Sequence, residues 1–367
     1  DGNGLNVAVG YGAGAAVSTG VRNVIMGGLA GDALTTGSYN VAVGYDALST
    51  EDGDGRNVAV GYQALLTQNA GADAYNVAVG FYAGTAITTG NENVLIGGLA
   101  GDALTTGSMN VAVGYSALSA EDGDGRNVAI GHQALQALNA GADAYNIGIG
   151  SNAGVLMSTG TSNVIVGGLA GDALTTGNHN IAIGREALGA EDGNGYNVAI
   201  GGYALQDLNA GADAYNVVIG YQAGAEMTTG TYNTVLGSQA MGTGITTGDY
   251  NVAVGYKAGD TMTSGVRNTL IGTSAGDALT TGGYNVAIGM YALSAEDGHG
   301  KNVAIGYDAL KVQNAGADAY NVAVGYEAGL AMTIGSRNTI IGALAGDALT
   351  TGYYNTALGY QALSSSQ

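Results

Sequence analysis

What this chain of 367 residues lacks sets its first bounds: no Cys, no Pro, and only 9 Lys and Arg against 29 Asp and Glu, a net charge of −20. Phosphate recognition needs clustered cations, so nucleic acid is excluded as a partner. Disulfides and thiolate metal sites are excluded by composition, and no apolar run approaches the ~20 residues of a membrane-spanning helix, so no membrane insertion is expected.

The first segment, Asn6-Val7-Ala8-Val9-Gly10 with Ala13, returns down the whole chain and ends as Asn355-Thr356-Ala357-Leu358-Gly359 with Ala362. A period near 20 residues marks a solenoid. The Asn spacings run 17, 17, 17 and 19, giving 70-residue units of four rungs that begin at residues 6, 76, 146 and 251. A shortened pair occupies 216–250, and a partial unit 321–367. The expectation is one solenoid domain over 1–367, all-β, with about 21 parallel rungs of 17–19 residues. Neither a signal peptide nor an initiator Met is present, which reads as a mature or trimmed segment. Absence of Pro fits a chain whose N–H groups all serve a ladder. Gly is abundant (68 residues) but follows no Gly-X-Y period, which excludes collagen.

Each rung opens on a short strand. In Asn40-Val41-Ala42-Val43-Gly44, Val41 and Val43 share one face and Ala42 the other. The larger Val and Ile residues are expected to point inward. Gly44 marks a bend, and the Ala that follows three residues later a tight corner. After that Ala, some rungs place Leu at once (Leu48, Leu65). Others place Gly and delay the apolar residue (Val17, Leu34, Ile87). Second-type rungs carry a large residue at the central strand position (Ile25, Leu95, Ile165) and a small one where others have Tyr (Gly28, Gly98, Gly168). That pairing predicts shared volume between the two positions. Stacked at ~4.8 Å, the rungs would extend ~100 Å. Three buried aliphatics per rung balance little of the ordering entropy. A partner chain on the Ala face is therefore expected.

The Asn column, beginning Asn6, Asn23, Asn40, Asn57, Asn76, is expected to form a structural ladder of stacked amides. Acidic Gly-rich turns close the third rung type: Glu51-Asp52-Gly53-Asp54, Glu121-Asp122-Gly123-Asp124, Glu191-Asp192-Gly193-Asn194 and Glu296-Asp297-Gly298-His299. Asp52, Asp54, Asp122, Asp124, Asp192 and Asp297 are the candidate Ca²⁺ ligands, because Ca²⁺ takes six to eight oxygens. A solvated turn is the competing reading, since the spacing matches no EF-hand and Asn194 and His299 replace one Asp. A second acidic column (Asp32, Asp102, Asp172, Asp277, Asp347) recurs about four rungs apart, which keeps like charges separated. Arg22, Arg56, Arg126 and Lys301 precede strand Asn residues at positions otherwise often Tyr, as in Tyr39 and Tyr75, and read as surface pairing. Tyr11, Tyr45 and Tyr62 form a second column, suited to ladder packing or to stacking on sugars. His132, His179 and His299 fall in different columns, so no catalytic triad is formed, and rungs this uniform leave no loop for a cleft. No enzyme activity and no other cofactor are expected.

The string Asn355-Thr356-Ala357-Leu358-Gly359-Tyr360-Gln361-Ala362-Leu363 resembles the repeats of phage-type tail fibres. It also resembles the head repeats of trimeric autotransporter adhesins of the YadA type. The resemblance covers essentially the whole chain. It implies a left-handed parallel β-roll in a homotrimer, extracellular, on a virion or cell surface, acting as a stiff fibre that contacts a glycan or protein receptor. A self-assembling head-to-tail filament, or a matrix protein with cation-binding turns, is the alternative, with a carbohydrate-active enzyme on a solenoid scaffold ranked below both.

Overall fold

The computed structural model describes residues 4–364 apart from 54 and 124. It contains 21 strands of three residues each and, among the described residues, no helix. No helix long and apolar enough to cross a membrane is present among them. The chain groups into two compact units, Asp1–Asn180 and Ile181–Gln367. The first holds β1 (Val7–Val9) through β10 (Val164–Val166), and the second β11 (Ile181–Ile183) through β21 (Thr356–Leu358).

Each unit is a parallel β-solenoid. In the first, Val7 pairs with Val24 and Ala8 with Ile25; in the second, Ile181 pairs with Val198 and Ala182 with Ala199. The register never slips, because the strand-ending Gly residues stack on one another. Gly220 has φ +142°, and a Cβ there would sit 2.5 Å from Gly237 O. Both the dihedral and the contact exclude any other residue.

Beyond that Gly the backbone alternates in hand. Asp46 and Leu48 both have φ 53°, and each residue before a ladder Asn is likewise left-handed, as Tyr39 is at φ 63°. An L-residue in this region costs ~1 kcal/mol or somewhat more. The alternation is compensated by a second ladder. Leu48 N–H donates forward to Ala64 O at 3.0 Å, while Gln63 N–H donates back to Tyr45 O at 2.9 Å. With bonds running to the rung on either side, Pro would remove a ladder donor at Leu48 or Gln63.

The strand faces are the reverse of the sequence expectation. Ala42, Ala59 and Ala112 are fully buried, whereas their flanking Val residues are half-exposed. In these rungs the interior behind the strand has room for only a methyl group, because Leu48, Leu65 and their equivalents fill it from the opposite wall. The Ala face therefore offers no surface to a partner chain, since that face is the core.

The expected sharing of volume between Ile25 and Gly28 is also overturned, because the two lie on separate surfaces. Ile25 is fully buried, whereas Gly28 lies on the outside beside the exposed Tyr45 ring, where a Cβ would come within 3.2 Å of Tyr45 Cδ2. The compensation for Ile25 is internal. It packs over Gly14 and Gly31, at positions where other rungs carry Leu48 or Leu65; a Cβ on Gly14 would lie 2.9 Å from Ile25 Cδ1. Leu95 and Leu65 cover Gly84 in the same way. Gly148 replaces a central strand Ala because Leu135 Cγ would be 2.6 Å from its Cβ.

Candidate functional surfaces and turns

The Asn column lies inside each unit, not on its surface. Asn23, Asn40, Asn57 and Asn76 are fully buried. Asn6 Oδ1 accepts the Asn23 backbone N–H at 2.8 Å, and Asn6 Nδ2 donates to Gly20 O at 2.8 Å. The same pair of bonds recurs at Asn23, whose Oδ1 accepts Asn40 N–H and whose Nδ2 donates to Gly37 O. Each side chain thus joins its rung to the next and closes its own rung. Direct contact between amides occurs only in places, as from Asn93 Nδ2 to Asn76 Oδ1 at 3.1 Å. The longer rungs break the closing bond. Their two extra residues carry Gly71 outward, where a Cβ would meet nothing within 4 Å, and Asn57 Nδ2 is left buried without a partner. Asn127 and Asn302 repeat this.

Those extra residues have a use at the surface. Asp73 reaches back to Arg56, Asp143 to Arg126 and Asp318 to Lys301. The Lys301 ammonium holds the Asp318 carboxyl below its ordinary range, chiefly through their hydrogen bond. The same cations lie over Tyr rings: Arg56 is 5.6 Å from the Tyr39 centroid and 5.4 Å from that of Tyr75. In the second unit, Tyr196, Tyr215, Tyr232 and Tyr250 stack at 5.0–5.2 Å and continue into Arg267, 5.3 Å above Tyr250. On the other side of the strands, Tyr45, Tyr62 and Phe81 stack, and His132 stacks on Tyr115 at 5.7 Å. Between the two aromatic columns lies the outward row of Val, Ile and Thr. Val79, Ile96, Val217 and Ile271 are 36–41% exposed.

The acidic turns divide their carboxylates between two environments. Asp52, Asp122, Asp192 and Asp297 are exposed, and Asp54 and Asp124 lie outside the described residues. The Asp52 carbonyl, not its carboxylate, receives Thr35 N–H and Thr36 N–H at 2.6 and 3.2 Å. Glu51, Glu121, Glu191 and Glu296 point inward and are fully buried. Glu191 Oε1 accepts from Asn194 N–H and Nδ2 at 3.1 and 2.7 Å, while its Oε2 is buried without a partner. Burial raises the Glu191 carboxyl above its ordinary range, against the pull of the Asn194 bonds. The sequence carried the signal: Glu51 stands eleven residues after Asn40, as Leu34 does after Asn23 and Ile87 after Asn76. Both of those are core residues.

The second acidic column is half-buried. Burial raises Asp102 and Asp277 above the ordinary carboxylate range. In the second unit the four-rung spacing fails, because Asp260 and Asp277 occupy adjacent rungs. Lys257 offsets the repulsion at 3.4 Å from Asp260, and Ser274 hydrogen-bonds Asp277. Comparison of the chain with protein-family models and with curated protein sequences finds no match.

Proposed function

We propose that the chain is a structural and adhesive segment of an extracellular fibre, of the tail-fibre or surface-adhesin kind that its repeat resembles. In this reading it is a left-handed roll assembled as a homotrimer, without catalytic activity, on a virion or cell surface. The observation that carries it is the outward strand row, apolar throughout the first unit and interrupted in the second at Thr234, Thr269, Thr339 and Thr356, bordered on both sides by stacked Tyr, Phe and Arg. Strands are separated by short connections: residues 10–23 between Val9 and Val24, and residues 61–76 between Val60 and Val77. Such connections leave little chain for a substrate cleft.

Two further copies of the chain fit the strip, because matching rung spacing lets ridges of Val and Ile interdigitate along the stack. Contiguous exposed apolar surface of this kind marks an interaction site. The aromatic borders remain for a glycan or protein receptor. Mass photometry of the chain tests the assembly, with a trimer expected and Ile96→Asp shifting it to monomer without loss of β-structure by circular dichroism. A monomer in the unsubstituted chain would overturn the trimer, and a ladder of masses would replace it with a filament.

A further inference from the structure

We propose that the turn Glu296–His299 is a transition-metal site of the zinc class, distinct from its three sibling turns. Among the described residues, Glu296, Asp297 and His299 form a group whose donor atoms all lie within 4.8 Å of one another. Two of those side chains present unused donors. Glu296 is fully buried, and its Oε2 has no hydrogen-bond partner. His299 Nδ1 is buried 3.5 Å from Glu296 Oε1 and also makes no hydrogen bond. Glu296 Oε1 is already held by the His299 backbone N–H at 3.1 Å, which fixes the carboxylate toward the ring. The Asp297 main chain is anchored by Thr280 and Thr281 N–H to its carbonyl at 2.6 and 3.2 Å, while its carboxylate is exposed and can turn in.

The sibling turn shows what is special. There Asn194 Nδ2 donates to Glu191 Oε1 at 2.7 Å, so a neutral amide holds the oxygen that faces the His299 ring here, while Oε2 is buried without a partner in both turns. An imidazole in the same place replaces that donor by a nitrogen ligand. One imidazole with two carboxylates suits Zn²⁺ over Ca²⁺, which prefers oxygen alone. A zinc ion holds such donors at ~2.0–2.2 Å, hence ~3.3–3.6 Å apart in a tetrahedron. Small rotations of Asp297 and His299 close the difference. A proton shared between His299 and Glu296 is the competing occupant.

The test titrates Zn²⁺ into the full chain, stripped with chelator and dialysed, by calorimetry and thermal melting. One equivalent should bind and raise the melting temperature. His299→Asn, which installs the residue of the sibling turn, should weaken binding at least tenfold and abolish that rise. Asp297→Asn should weaken it independently, and serves if His299→Asn does not fold. Equal binding by the wild type and the folded variants, or no stoichiometric heat, overturns the site. So does Ca²⁺ binding there as tightly as Zn²⁺, which would return the turn to the oxygen-ligand class.

Discussion

Asn76 Oδ1 accepts both the backbone N–H and the side-chain Nδ2 of Asn93, at 2.9 and 3.1 Å, inside a core that excludes water. Asn76 Nδ2 meanwhile donates to Gln68 Oε1 and Gly90 O at 2.8 and 2.7 Å. One side chain thus serves three rungs.

That relationship predicts a graded response along the ladder. Asn76→Ala strands the Asn93 N–H, the Gly90 carbonyl and the Gln68 amide oxygen, each a buried group costing about 1–3 kcal/mol when left unpaired. A loss of about 3 kcal/mol or more is expected in urea unfolding. Asn57→Ala removes an amide whose nitrogen is already unpaired. It strands only the Asn76 N–H, so its loss should be about 1–2 kcal/mol. Equal losses would show that the amide bonds do not set the ladder's strength.

Glu191 predicts the direction of a pH dependence. Burial raises its carboxyl above the usual 4.5 in the folded chain. The folded state therefore keeps its proton to higher pH than the unfolded state does. Stability falls as pH rises from 4.5 through the folded value, and the full penalty stands at neutral pH. Glu191→Gln removes that penalty while keeping an oxygen for the Asn194 bonds. It should raise stability at pH 7, with the gain vanishing below pH 4.5. Asp318, held low by Lys301, works the other way: its contribution is present at neutral pH and lost in acid. Exposure of that pair makes the opposing term small. Melting curves from pH 3 to 8 on both proteins decide the sign.

The rung count, the strand positions and the Asn column were legible in the sequence because each repeats at a fixed distance from a fixed Gly. The strand faces were not. Ranking Val43 above Ala42 by hydrophobicity assumes a core wide enough for branched side chains, and here Leu48 approaches from across a narrow interior. Glu51 was legible as acidic but not as buried, since its column identity appears only when counted from Asn40. The left-handed residues, such as Leu48 and Tyr39, leave no mark in composition. Their conformation is imposed by bonds from rungs on both sides.

The Tyr stack of the second unit predicts a local cost. Tyr232 lies between Tyr215 and Tyr250 at centroid distances of 5.2 and 5.0 Å, with ring planes within 7°. Tyr232→Ala removes both contacts and should lower stability by about 1–3 kcal/mol. Tyr256→Ala, which among the described residues loses no ring stack and one cation contact, to Lys257 at 5.8 Å, should cost about 1 kcal/mol or less. Thermal melts of the two variants separate stacking from mere burial, and a Tyr256 loss as large as that of Tyr232 would remove the stack as a source of stability.

Glycine substitution separates the stacked bend from the surface bulge. At Gly220, φ is +142° and Gly237 O would lie 2.5 Å from an added methyl, so Ala has nowhere to sit without moving a neighbouring rung. Gly211 also has a positive φ, +70°, but nothing lies within 4 Å of its Cβ position. Left-handed Ala there costs only about 1–2 kcal/mol. Gly220→Ala should therefore cost several-fold more than Gly211→Ala, and should break the register that every strand in the unit shares. Hydrogen exchange would locate the damage: amides of the rungs around residues 217–237 should lose protection in Gly220→Ala and keep it in Gly211→Ala. If both variants exchange alike, the register is held by the Asn bonds, and the stacked glycines only permit it.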